Sequence, residues 1–386
     1  MKSRESTMPN PKITNKIQIS LLLVATIGIM SGITVVASLP LMSHTFSNIP
    51  HIEFLSKLML TIPSIVIAVF APFAGYIVDK WGRLKPLYLG IILFVLGGSS
   101  GFYLENFYAI LVGRAVLGLA VALTMTSSTA LIGDYFEGEA RHKFIAKQGL
   151  AVALGGIVFI NAGGLLAQIH WSYPFAIYFI PILFLPFILS NLFEPKRHKA
   201  SEEFVIESNC IPIYVTAFFV MVLFYLLPTQ LPYLIVNILG GQPQTVGFVI
   251  ATAMIFNALT AMQYAKIKAK YSYMQIYAAT FSLFSFGLFL IYYAHSIHEL
   301  FYATAFIGMA FGMLFVNTNS WFLASVPASK RGRASGLLAS SFFLGQFASP
   351  LLFEPIVSAY GIQKLFLFVS IVSFTVALVL FIKSKI

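Results

Sequence analysis

Cysteine is nearly missing: Cys210 is the single one in 386 residues, which excludes an intrachain disulfide and any cysteine-based metal cluster. Charge is scarce too. Asp, Glu, Lys and Arg make up 10% of the chain, against about 25% in an ordinary soluble domain. There is no Walker phosphate loop, no nucleophile elbow and no pair of carboxylates spaced to share a cleft. An enzyme is therefore not expected, nor a metal or cofactor site. His44, His51, His170, His295 and His298 lie at irregular spacing in loops between apolar runs, and even the His295 and His298 pair is read as solvated. No cleavable leader is expected either, because residues 1–16 are polar and the first apolar run is long enough to span a membrane.

What the chain has is apolar length. Hydrophobic residues are 59% of it, and a spanning helix needs about 20 in a row. Twelve such runs can be placed, near 18–42, 54–78, 86–104, 107–132, 145–167, 173–192, 211–237, 244–265, 273–294, 299–323, 334–357 and 363–382. They predict an all-α membrane protein with twelve transmembrane helices. A net charge of +11 would point a soluble protein toward nucleic acid, but here topology accounts for it and no nucleic-acid partner is expected. Putting both termini in the cytoplasm gathers almost every Lys and Arg on the inner side and leaves Lys57 and Lys364 outside, as the positive-inside rule requires. The polar stretch EPKRHKASEEF from Glu194 reads as a linker, dividing the chain into 1–193, 194–210 and 211–386. The two six-helix parts look like repeats: an offset of 190 residues carries Gly97 onto Gly287, Gly118 onto Gly308 and Arg141 onto Arg331. Such parallel repeats are a transporter pattern.

One stretch breaks the apolar pattern most sharply. GYIVDKWGRLKP, residues 75–86, sets Gly75, Asp79, Lys80, Gly82, Arg83 and Lys85 between the second and third runs. Gly75 and Asp79 are four residues apart and share a helix face, where a small residue lets a neighbouring helix come close. This spacing resembles the signature between helices 2 and 3 of the major facilitator superfamily. The resemblance implies a major facilitator fold of two pseudo-symmetric six-helix bundles, alternating access to a midplane site, and a gate. In that gate Asp79 approaches the N-terminus of helix 11, near Arg333, when the cytoplasmic side shuts. The copy of the loop at the 190-residue offset has Ala269 in place of the acid, so the locking role falls on the first copy.

Polar side chains inside the runs are unevenly placed. Arg114, Asn161, Gln230, Asn257, Asn317, Asn319, Gln346 and Glu354 fall in helices 4, 5, 7, 8, 10 and 11, whereas helices 3, 6, 9 and 12 carry none away from their ends. Unpaired polar groups are costly against lipid, so the first set is expected to face a central cavity and the second set of helices to be peripheral. The segment around Arg114 resembles the helix-4 motif of proton-coupled drug antiporters, with Leu117 in place of its Gln. Gly163 and Gly164 match part of the antiporter motif of helix 5. Glu354 is read either as the acceptor of a coupling proton, as a partner of Arg114 in an outer gate, or as an exposed carboxylate near the headgroups. Pro228 and Pro232 flank Gln230 in helix 7 and are expected to break it.

The expected function is export of small organic molecules by a monomeric secondary transporter of a bacterial inner membrane, coupled to inward proton movement. Because helix 1 holds no acid to balance Arg114, a carboxylate-bearing metabolite such as a siderophore is the alternative cargo. A membrane sensor that kept the fold is the third reading.

Overall fold

The computed structural model describes residues 13–195, 210–326 and 331–384. Among them, twelve helical spans are long and apolar enough to cross a bilayer. They are α1 (Asn15–Thr45), α2 (Ile52–Trp81), α3 (Leu84–Tyr103), α4 (Phe107–Tyr135), α5 (Gly138–Ile169) and α6 (Tyr173–Asn191), then α7 (Ile211–Ile238), α8 (Pro243–Lys268), α9 (Tyr273–Tyr293), α10 (Ile297–Ser325), α11 (Arg331–Tyr360) and α12 (Ile362–Lys383). Each predicted run lands on one of them. α5 begins earlier than its apolar run because Glu139 and Lys143 pair at 2.9 Å one turn apart and carry the helix beyond the apolar zone. Helix starts follow ordinary capping chemistry: Asn106 accepts from the Ala109 N–H at the head of α4, and Ser272 and Gln275 form a reciprocal capping box on α9.

Among the described residues four spans are interrupted: α3 at Ser99, α6 by a 3₁₀ stretch over Tyr173–Phe179, and α7 and α1 within their length. α7 runs as Ile211–Phe224, then Leu226–Tyr233, then a π turn over Leu234–Ile238. Pro228 cannot donate to the Phe224 carbonyl and its ring crowds it, so the first segment stops there. α1 is also broken, which the apolar pattern did not predict. Its first segment ends at Ile33, a 3₁₀ turn spans Val36–Ser38, and Leu39–Thr45 completes it with Pro40 in its first turn.

The internal repeat holds contact by contact. A Cβ on Gly118 would sit 2.7 Å from the Pro63 carbonyl of α2, and one on Gly308 would sit 2.1 Å from the Ala253 carbonyl of α8. The 190-residue offset maps both members of the first contact onto the second. Likewise Gly97 packs on the Gly113 carbonyl of α4, and Gly287 on the Ala303 carbonyl of α10. These close approaches fix α4 on α2 and α3, and α10 on α8 and α9, in the same way in both halves.

α3, α6, α9 and α12 expose large apolar side chains such as Leu96, Leu183, Phe286 and Phe374, as the polar pattern predicted. α5 and α8 do so as well, through Leu154, Val158 and Met262. One pair of polar groups buried between peripheral helices is mutually satisfied, whereas Ser100 Oγ of α3 is buried without a partner. Ser285 of α9 and Ser370 of α12 each donate to the other's carbonyl at 2.8 Å. The segment read as a linker lies, over 196–209, outside the described residues.

Candidate functional site

The loop of residues 75–86 lies at one end of the bundle, together with Lys143, Lys147, Lys266, Lys268 and Lys383; this end is the basic face, and the opposite end the far face. α2 stops at Gly82, whose φ of +96° and ψ of 176° suit glycine alone. Its missing side chain makes room for another residue. Glu194, just beyond α6, accepts from the Arg83 and Leu84 N–H groups at 2.6 and 3.0 Å, capping the start of α3. A Cβ on Gly82 would lie 2.6 Å from that carboxylate. Arg83 in turn binds Asp79 at 2.7 Å and Asp134 of α4 at 3.0 Å. Partial burial acts to lower the Arg83 pKa, but the hydrogen bonds and charges of Asp134 and Asp79 outweigh it and hold the guanidinium above its ordinary value.

Asp79 therefore serves its own half of the molecule here. Its side chain is 64% exposed and bonds to Arg83. Lys80 lies over the Tyr76 ring and Lys85 is exposed. The Arg333 side chain lies outside the described residues, so the predicted approach of Asp79 to it is not described. Gly75 is on the α11-facing stripe of α2, yet nothing lies within 4 Å of where its Cβ would be.

Arg114 is fully buried in the first half. Its Nε donates to the Met59 carbonyl of α2 at 3.1 Å, Nη2 to the Ser31 carbonyl of α1 at 2.8 Å, and Nη1 to the Tyr178 hydroxyl of α6 at 2.9 Å. Tyr178 also donates to Ser31 at 3.1 Å, so the guanidinium gathers α1, α2, α4 and α6 just before α1 breaks. No carboxylate among the described residues pairs with it. Its planar fork suits three acceptors fixed in different directions.

The structure corrects the reading of Glu354. It does not meet Arg114 and is not a free surface acid: it accepts from Lys57 Nζ at 2.8 Å. Lys57, predicted as an outer charge, lies in the second turn of α2 and is 0% exposed, against 21% for Glu354. The predicted run 54–78 already held Lys57, but no partner for it was assigned. A helix from Ile52 puts Glu53, Lys57 and Ser64 on one stripe, and that polar stripe was the available signal. Lys57 also sits 5.0 Å from the centre of the Tyr233 ring of α7. The Tyr233 hydroxyl shares a 2.9 Å hydrogen bond with Ser43 of α1 and reaches the Leu39 and Glu53 carbonyls.

The remaining predicted cavity residues separate into three groups. Gln346 accepts from Ser64 at 2.7 Å and joins the halves. Asn317 is buried between α8 and α9, bonded to the Tyr264 hydroxyl and the Tyr273 carbonyl, and Asn319 donates to Phe315 of its own helix, so neither needs a cavity partner. Asn257, Asn161 and Gln230 have unused capacity. Asn257 is half-buried with no hydrogen bond to its side chain, and Asn161 Oδ1 is buried without a partner where α5 crosses Gly247 of α8. Gln230 is fully buried with both amide atoms unpartnered, in the α7 segment whose flanking Tyr225 and Tyr233 touch α1.

Among the described residues, the hydrogen bonds between the halves all lie toward the far face: Lys57 with Glu354, Ser64 with Gln346, Ser43 with Tyr233, His44 with Asn237, and Gln168 with Gln242. Toward the basic face, a Cβ on Gly75, Gly149 or Gly336 would meet open space. Among the described residues, then, the halves are hydrogen-bonded to each other toward one end and not toward the other.

Residues 19–209 and 213–385 match the family described as Major Facilitator Superfamily. The quinolone resistance protein NorA of Staphylococcus aureus (strain MSSA476) is 22% identical over 297 residues, 74% of this chain and 76% of its own. The bacillibactin exporter of Bacillus subtilis (strain 168) is 31% identical over 137 residues, 32% of each chain. A bacterial homolog of the human lysosomal transporter Spinster, solved inward-facing and occupied, superposes with a TM-score of 0.79 at 15% identity, covering 98% of both chains. A D-xylose–proton symporter gives 0.71 at 14% identity, over 93% of this chain and 97% of that one. The family match runs through all twelve spans of an all-helical fold that solved transporters share, and this integral membrane protein is a member of the Major Facilitator Superfamily.

Proposed function

We propose that the protein exports small organic molecules from a bacterial cytoplasm by alternating access, as a monomer in the inner membrane, with inward proton movement as the driving force. The basic face is then cytoplasmic, in keeping with the positive-inside rule, and both termini lie inside. The observation that carries the reading is the one-sided bonding: among the described residues inter-half hydrogen bonds lie toward the far face, while glycines on the facing helices at the basic face have room for a side chain. That is the arrangement of a carrier open to the cytoplasm. The printed names of its relatives, a quinolone resistance protein and a bacillibactin exporter, agree with export.

A second reading of the cargo rests on Arg114. A buried guanidinium held by neutral acceptors leaves the first half with an uncompensated positive charge, which disfavours lipophilic cations and suits a carboxylate-bearing molecule such as a siderophore. Asn257, Asn161 and Gln230 are among the described side chains with hydrogen-bonding capacity to offer it. Purified protein in liposomes with an internal pH dye separates these readings. Ethidium-driven proton flux supports drug export, siderophore-driven flux supports the metabolite, and no flux of proton or cargo with either contradicts an exporter of these classes.

A further inference from the structure

We propose that Lys57 is the positioning residue of the outer gate: it closes the far face only while Glu354 is ionised, so that acid outside opens it. This rests on the transporter reading. The pair joins α2 to α11, one helix from each half, and Tyr233 adds α7 through the 5.0 Å cation–π contact. Tyr233 is itself pinned to α1 and α2 through Ser43, Leu39 and Glu53. Breaking this one ion pair therefore loosens a four-helix clamp.

The two partners are unequal, and the inequality gives the gate its direction. Glu354 is 21% exposed and can meet water from the far face; Lys57 is 0% exposed and cannot. When a proton from the outer solution adds to the Glu354 carboxylate, Lys57 remains an ammonium ion, now buried with no opposite charge. Stranding a buried charge is strongly unfavourable; Lys57 can shed its proton or reach water, and in the acid that protonates Glu354 the second route, parting of the far ends, is the one we propose. The other titratable groups that pack around the pair are Glu53 of α2 and Tyr233 of α7; Lys364 of α12 is exposed near the far end. Glu53, one turn before Lys57 on the same stripe, has an exposed side chain, and among the described residues the ion pair of Lys57 is with Glu354.

A corollary concerns the driving proton. In export by antiport, the proton must favour the return to the state closed at the far face. A group whose protonation opens that face does the reverse, so Glu354 belongs to the gate and the coupling proton binds elsewhere.

The test uses full-length protein in lipid nanodiscs, Cys210→Ser, with spin labels at Asn48→Cys and Ile238→Cys, exposed positions at the far ends of α1 and α7. The far-face distance is measured from neutral to acidic pH. Wild type should shift to a longer distance as pH falls. Glu354→Gln should hold the longer distance at every pH, with the closed-to-open ratio down at least about tenfold. Lys57→Gln should open it less, because the carboxylate it leaves can be hydrated, and Lys57→Gln/Glu354→Gln should recover part of the closed population. A distance that ignores both pH and Glu354→Gln overturns the proposal, as does a larger effect from Lys57→Gln than from Glu354→Gln. Should a variant fail to fold, the wild-type pH series decides alone. The readout needs no cargo: a responding gate in a protein that moves nothing defeats only the transporter reading, and an inert gate in a working transporter defeats only this one.

Discussion

Gly75 of α2 and Gly336 of α11 occupy matching places on antiparallel helices, each 18 residues toward the basic face from the ion pair of Lys57 and Glu354. Eighteen residues are about five helical turns, so both glycines share the stripe that carries the pair. Ser64 and Gln346, bonded at 2.7 Å, lie between. Toward the far face the described residues hydrogen-bond across the halves; toward the basic face neither glycine has an atom within 4 Å of its missing Cβ. Rocking about the Ser64 and Gln346 contact would bring the two glycines together.

Filling that space should block one state and spare the fold. Gly75→Leu and Gly336→Leu are expected to reach the membrane and melt at close to the wild-type temperature, yet lose transport. Gly118→Leu, whose side chain would run into the Pro63 carbonyl, is expected to fail in folding. Thermal unfolding in detergent beside liposome flux separates the two outcomes. A stable Gly118→Leu, or an active Gly75→Leu, contradicts the assignment.

The loop after α2 depends on Gly82 and Glu194 together. Gly82→Ala forces a side chain into a backbone region that is nearly glycine's alone and crowds the Glu194 carboxylate, at a cost of about 1–3 kcal/mol. Glu194→Ala uncaps α3 and should cost about 1 kcal/mol. Because both act on one contact, the double variant should be less destabilised than the sum. Additive melting shifts would mean the two residues act independently.

Gln230 should trade stability for function. Its amide is buried with no partner, a cost of about 1–3 kcal/mol, so Gln230→Leu is expected to raise the melting temperature of this state. If cargo or the opposite state supplies the missing partners, transport falls in the same variant. A destabilised Gln230→Leu would show that the amide is already satisfied.

Arg114 ties four helices through three donors, and Arg114→Lys replaces a planar fork with a point charge. Loss of at least two of the three bonds is expected, with a melting drop approaching that of Arg114→Met. Full stability in the lysine variant would reduce Arg114 to its charge alone.

Much of this was legible in the sequence because it rests on local pattern. Apolar run length gave the twelve spans, the 190-residue offset gave the repeated glycine contacts, and Gly75, Asp79 and Arg83 stood out by spacing. What escaped depends on contact between distant segments. Lys57 fell inside the predicted run 54–78 but was counted as an outer charge near its end, and its pairing with Glu354 joins residues 297 apart. Glu194 was read as part of a linker, since nothing local says that a carboxylate after α6 caps α3. The polar residues of α10 were legible as buried but not as satisfied, because Tyr264 and Tyr273, which bind Asn317, come from α8 and α9.

Disulfide trapping of Gly75→Cys with Gly336→Cys, in Cys210→Ser protein, tests alternating access directly. A disulfide needs Cα atoms about 5.5 Å apart, and on this account closure of the basic face brings the two positions within that reach more often. The account predicts slow cross-linking in the wild-type background, faster cross-linking with Glu354→Gln, and loss of transport once the link forms, restored by reduction. Rapid cross-linking unaffected by Glu354→Gln, or transport that continues through the link, would contradict it.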